Sequence, residues 1–169
     1  MNTQILIAGV GNIFLSDDGF GPEAVRALAR EPLPTHARAV DYGIRGLHLA
    51  YDLLEGYHAL VLVDALPGDH GPGTVRVLEV GRADLPPSAG VDAHGMDPAA
   101  VLATVESLGG RLPRTFVVGC EPASTGEGIG LSEAVTASVG TATAAVRDLL
   151  AHELAAPPVP SPRSAGRET

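Results

Sequence analysis

Apolar positions along this chain alternate between two textures. Short continuous runs, too brief for helices, are separated by longer stretches in which apolar residues recur every three or four positions. QILIAG (residues 4–9) predicts a first strand. GFGPEAVRALAR (19–30) predicts a helix with Pro22 in its first turn, where a missing amide is tolerated. ARAVDYG (37–43) predicts a second strand and GLHLAYDLLEG (46–56) a second helix. HALVLVDAL (58–66) is apolar throughout, as a central strand buried on both faces would be. GTVRVLEV (73–80) alternates, so it predicts a half-exposed strand. DPAAVLATVESLG (97–109) predicts a helix with Asp97 as its N-cap ahead of Pro98. TFVVGC (115–120) predicts another buried strand, and residues 131–155 a long final helix capped by Ser132.

The order of these elements is that of a doubly wound α/β domain. We expect one three-layer domain over residues 1–155, with a mostly parallel, twisted sheet of about five strands and helices on both faces. The remaining residues, 156–169, are rich in Pro, Ser and Arg and predict a disordered tail. The chain has 169 residues, 45% of them hydrophobic, enough for a sizeable core. No apolar run nears the roughly 20 residues of a membrane span, and no basic leader precedes the first strand. The only cysteine, Cys120, excludes an internal disulfide and fits a cytoplasmic protein. A net charge of −9 argues against nucleic acid as a partner. Every basic residue other than histidine is arginine. The absence of lysine removes Schiff-base chemistry and the P-loop lysine.

In such folds ligands gather at the carboxyl ends of the strands, so the polar residues there are the candidates. Asp17 and Asp18 follow the first strand, Asp41 and Asp64 end the second and third, and Glu121 follows the fifth. His94 lies in the loop before the helix at 97–109. These acids predict one zone that could serve a cation or a hydrolytic water. A dinucleotide fingerprint is not formed, because Phe14 stands where the third glycine after Gly9 and Gly11 belongs; those two glycines predict a tight turn instead. A chain needs only one cap at a helix start. Asp17 is therefore expected to shape or cap the turn, and Asp18 is the surplus acid. Two carboxylates and an imidazole, Asp18, Asp64 and His94, suit a divalent transition metal with open positions. Such a trio would hold metal weakly unless other ligands came from elsewhere. No H-E-x-x-H motif is present, and neither Cys120 nor Ser16 has a base defined by the sequence.

The motifs GVGNIFLSDDGFG (9–21), DYGIRGLHL (41–49), VLVDAL (61–66), DAHGM (92–96) and VVGCEPASTGEGIGLSEAV (117–135) together resemble the hydrogenase maturation proteases. These endopeptidases remove a C-terminal peptide from the large subunit of nickel–iron hydrogenases after nickel insertion. The resemblance runs from Ile5 to about residue 150. It implies that Asp18, Asp64 and His94 contact nickel, that Asp18 and Asp64 take part in the hydrolysis, and that Gly43 and Gly46 lie in a segment for substrate recognition. It implies that nickel arrives on the substrate, so no tightly bound metal of the protein's own is expected. The partner would be the precursor of a [NiFe] hydrogenase large subunit, and the protease a cytoplasmic monomer acting on neither nucleic acid nor membrane. Whether a carboxylate or the metal activates the water stays open. The alternative on the same fold is a non-catalytic, nickel-sensing chaperone of hydrogenase assembly.

Overall fold

The computed structural model describes residues 4–81 and 97–155. Five strands form one sheet: β1 (Ile5–Val10), β2 (Ala37–Gly43), β3 (Ala59–Ala65), β4 (Val75–Val80) and β5 (Arg114–Cys120). Four helices accompany them: α1 (Phe20–Leu28), α2 (Gly46–Leu53), α3 (Pro98–Ser107) and α4 (Glu133–Asp148). The spatial order is β2-β1-β3-β5-β4. β2, β1, β3 and β5 are mutually parallel, and β4 runs antiparallel to β5 at the edge. This is the mostly parallel five-stranded α/β architecture that the hydrophobic pattern predicts.

Alternation along the strands divides the core into two layers. Ile5, Ile7, Val61 and Val63 pack with Phe20, Val25 and Leu28 of α1 and Val135, Ala142 and Val146 of α4. Leu6, Ala8, Leu60 and Leu62 pack with Leu49 and Leu53 of α2 and Val101, Leu102 and Val105 of α3. β1 is buried at every position, and β3 from Ala59 to Val63. Strands covered by helices on both faces have no polar side, which is why they read as unbroken apolar runs. β4 is partly or fully exposed along its length.

The chain winds one way from β1 to β2 and then crosses to β3 on the other side of β1. The switch point of the fold therefore lies between the carboxyl ends of β1 and β3, where a crevice opens. The start of α1 closes directly over it. A Cβ on Gly21 would stand 2.2 Å from the carbonyl oxygens of both Val10 and Val63, so only glycine permits this approach. The preceding residues, Ser16–Gly19, form a single 3-10 turn that carries both aspartates.

Two predicted helix ends differ. Asp97 caps α3 as expected, accepting a hydrogen bond from the Ala99 amide at 3.1 Å. Ser132 occupies the N-cap position of α4, yet its side chain makes no capping bond; it turns to Asp17 instead. The last predicted helix also changes pitch, passing into a π-helical turn over Leu149–Glu153. No helix among the described residues is long and apolar enough to cross a membrane. The predicted tail lies outside the described residues.

Candidate active site

Each acid singled out from the sequence has a definite environment, and they do not all converge. Asp17 is fully buried. Its carboxylate accepts from the amides of Ala123 at 2.9 Å, Ser124 at 3.2 Å and Ser132 at 2.7 Å, and from the Ser132 hydroxyl at 2.9 Å. Burial by itself would raise its pKa, but these hydrogen bonds outweigh burial and hold the carboxyl below its usual range. Asp17 thus neither caps its own turn nor faces a ligand. It ties the turn to the loop that leads into α4, over 100 residues away in sequence.

Backbone bonds complete that tie. The Ser16 amide donates to the Gly128 carbonyl at 2.8 Å, the Gly128 amide to the Phe14 carbonyl at 2.9 Å, and the Asp17 amide to the Ser124 carbonyl at 3.0 Å. The Ser16 hydroxyl donates to the Gly126 carbonyl at 2.8 Å, which occupies the side chain in a structural bond. Ser16 sits at φ 51°, a left-handed conformation unusual for a residue with a side chain.

Asp41 and Glu121 are also engaged elsewhere. Asp41 pairs with Arg26 at 3.0 Å. Glu121, nearly buried, accepts the amides of His70 and Gly71, each at 3.1 Å. Burial, with the Asp17 and Glu121 charges adding to it, pushes the Cys120 thiol up, the reverse of what a nucleophile needs.

Asp18 and Asp64 remain at the switch point. Asp18 is half-buried and accepts the Asn12 amide at 2.7 Å, so the turn after β1 sets its orientation. Asp64 lies one residue beyond the β1–β3 pairing, which ends at Gly9 and Val63. Burial first, and then the negative charge of Asp18, push the Asp64 pKa well above the carboxylate range; a hydrogen bond from the Ala65 amide opposes this only in part. The two carboxyls thus act on one another electrostatically. A carboxyl displaced from its ordinary range by burial and by a specific charged neighbour marks Asp64 as a candidate for acid–base chemistry. His94 lies outside the described residues. Among the described residues, no three His, Cys, Asp or Glu side chains gather closely enough to hold a metal ion.

A cleft of about 300 Å³ opens past the carboxyl ends of β1 and β2, joined to Asp18 through Asn12, which lines it and whose amide Asp18 accepts. Its walls are the turn Gly11–Phe14 and the segment Asp41–Arg45, with Arg26 at one side. A register shift where β2 leaves β1 pairs Val10 with Gly43, and the Gly11 amide donates to the Gly43 carbonyl at 3.0 Å. Gly43 sits at φ 57°, so the bend of this wall depends on glycine. Gly46 opens α2 directly behind it. Arg45 braces the wall, donating to the carbonyls of Tyr42 at 3.1 Å and Asp41 at 2.5 Å. The sequence offers no sign of the Asn12 amide or the Arg45 brace, because backbone contacts carry no residue signature.

The sequence profile of the hydrogenase maturation proteases, HycI, matches residues 22–148. The chain belongs to the hydrogenase maturation protease family. The Hydrogenase 2 maturation protease of Escherichia coli K12 is 31% identical over 138 residues, covering 80% of this chain and 84% of that one. The hydrogenase expression/formation protein HupD of Rhodobacter capsulatus is 32% identical over 154 residues, covering 88% and 72%. The solved structure of the hydrogenase maturating endopeptidase HybD from E. coli superposes with a TM-score of 0.76 at 30% identity, covering 89% of this chain and 93% of that one. The chain shares the fold of that endopeptidase, and membership of the family supports a peptidase.

Proposed function

We propose that the protein removes a C-terminal peptide from the nickel-loaded precursor of a [NiFe] hydrogenase large subunit, using the substrate's nickel as the recognition element. The observation that carries this reading is the pair Asp18 and Asp64 at the β1/β3 switch point, close enough for the Asp18 charge to act on Asp64, with Asp18 tied through Asn12 to the neighbouring cleft.

The chemistry follows from that pair. Asp64, with its pKa raised by burial and by Asp18, gives up its proton when the nickel of a loaded precursor arrives and then binds it as a carboxylate. Asp18, oriented by the Asn12 amide, takes a proton from the attacking water and passes it to the leaving amine. The scissile peptide lies in the cleft against Gly43, where the lack of a side chain lets its backbone approach the wall, and Gly46 belongs to the same recognition segment at the start of α2. Nickel, held by the substrate's own cysteines, is completed by oxygen donors from Asp18 and Asp64 and by an imidazole nitrogen from His94, a donor set that suits a borderline divalent ion. Three such ligands hold free metal weakly, so an empty precursor gains nothing from them and a loaded one does. The site is thereby a sensor of loading, and no resident metal is required. We place the reaction in the cytoplasm, in keeping with a chain whose single cysteine allows no internal disulfide.

The test is the intact mass of a large-subunit precursor after incubation with the protein, with nickel-loaded and nickel-free precursor run in parallel. Loss of a C-terminal peptide from the loaded form alone is expected. Cleavage of both forms would remove nickel as the signal. Binding of the loaded precursor without cleavage of either form would mean a chaperone rather than a protease.

A further inference from the structure

Large apolar side chains stand in water around the cleft on three separate chain segments. Phe14 is 60% exposed on the turn after β1, beside Ile13. Ile44 and Leu47, 51% and 60% exposed, lie where β2 passes into α2. Ile129 is 81% exposed in the loop before α4. None of them serves the core. Ile13, Phe14 and Ile44 line the cleft itself.

The exposure of Phe14 and Ile129 is built, not incidental. Ile129 adjoins Gly128, whose amide bonds to the Phe14 carbonyl and whose carbonyl accepts the Ser16 amide. The buried Asp17 carboxylate pins both ends of the same loop, at Ala123 and Ser124 and at Ser132. A loop so restrained presents its isoleucine at little further entropic cost, which is the condition for an anchor residue in recognition.

We propose that Phe14 and Ile129, continued by Ile44 and Leu47, form a docking surface for an apolar segment of the precursor polypeptide, and that this surface sets which precursor is cut. This rests on the protease reading above. The occupant follows from continuity. Phe14 and Ile13 line the cleft on the same turn as Asn12, whose amide holds Asp18, so a chain anchored on this rim is led toward Asp18. A second copy of the protein seated there would bar the cleft to any substrate.

The test uses Phe14→Ser, Ile129→Ser and the double variant, with Val77→Ser on the exposed edge strand as control. The probe is a purified, nickel-loaded, C-terminally extended large-subunit precursor. Removing two apolar anchors is expected to raise KM about tenfold or more while kcat stays within about twofold. The control should leave both unchanged, and all variants should melt with the wild type. In the Asp18→Asn background, the same double substitution should weaken equilibrium binding of the precursor by a similar factor. If the wild type cleaves and the double variant shows the wild-type KM, the docking surface is refuted and the protease reading stands. If the wild type does not cleave, the protease reading falls, and docking is judged by binding alone: equal affinity of wild type and double variant refutes it, as does no binding by either. A dimer in sedimentation velocity that the double substitution dissociates would make the occupant a second copy and overturn the proposal.

Discussion

Asp17 and Asp18 are neighbours in sequence with opposite employment, and substitution of Asp17 tests that division. Asp17→Asn keeps the shape and removes the charge. The carboxylate receives four hydrogen bonds, three from backbone amides and one from the Ser132 hydroxyl. An asparagine offers one oxygen to these donors and turns an NH₂ group toward the rest. Three bonds go to Oδ2 and one to Oδ1, so asparagine loses the bond from the Ser132 amide and leaves that amide facing a second donor; one lost charge-assisted bond and one unpaired buried donor, at roughly 1.5 kcal/mol each, cost about 3 kcal/mol. For a chain of this length that lowers the melting temperature by about 6–12 °C. The assay is thermal unfolding followed by circular dichroism, beside the wild type and Asp18→Asn. The pH dependence is a second readout. Because the folded pKa of Asp17 is depressed, its stabilisation is complete above the usual carboxylate range and is lost as pH falls through the lower folded value. The wild type and Asp17→Asn should therefore converge in acid. A melting loss below about 2 °C, less than 1 kcal/mol on this scale, would refute the reasoning.

Asp18→Asn should abolish precursor processing, by about a hundredfold or more, while melting within about 2 °C of wild type, as intact-mass assays and unfolding curves would show. Asp64→Asn should lose processing equally but be as stable as wild type or more so above the carboxylate range. The raised pKa of Asp64 means that its ionisation, as pH rises through the elevated value, destabilises the fold, and asparagine escapes this. A less stable Asp64→Asn at neutral pH would count against that environment. His94→Ala should abolish processing of nickel-loaded precursor without unfolding the protein; retained cleavage would remove His94 from the site. Gly43→Ala should cost about 1–2 kcal/mol because its φ of 57° disfavours a Cβ, whereas Gly43→Asn should cost less, as thermal melts would reveal.

Much of the fold was legible because parallel strands sandwiched between helices must be apolar on both faces. β1 and β3 therefore stood out, and Asp18 and Asp64 could be placed by where those runs stop. The antiparallel edge strand also had a signal in the linker at 66–74, which is shorter than the dozen or so residues of a parallel crossover. Asp17 was legible only as a structural residue. Its partners lie 106 to 115 positions away, and three of its four donors are ones that any residue supplies. Ser132 suited a cap by type and position, yet a buried carboxylate competed for its hydroxyl and won. Asp41 and Glu121 looked available because the sequence does not reveal that Arg26 and the turn at His70 and Gly71 engage them.

The long reach of Asp17 also bears on how the protein is made. Translation delivers the acid-bearing turn early and Ser132 more than a hundred residues later, a lag of about 6–20 s at ordinary elongation rates. Until β5 and the start of α4 leave the ribosome, the turn that carries Asp18 has only its local hydrogen bonds and lacks every tie through Asp17 and Ser16 to the later loop. A nascent chain should therefore emerge inert, and peptidase competence should arrive in one late step, when the last segment of the fold closes on the first.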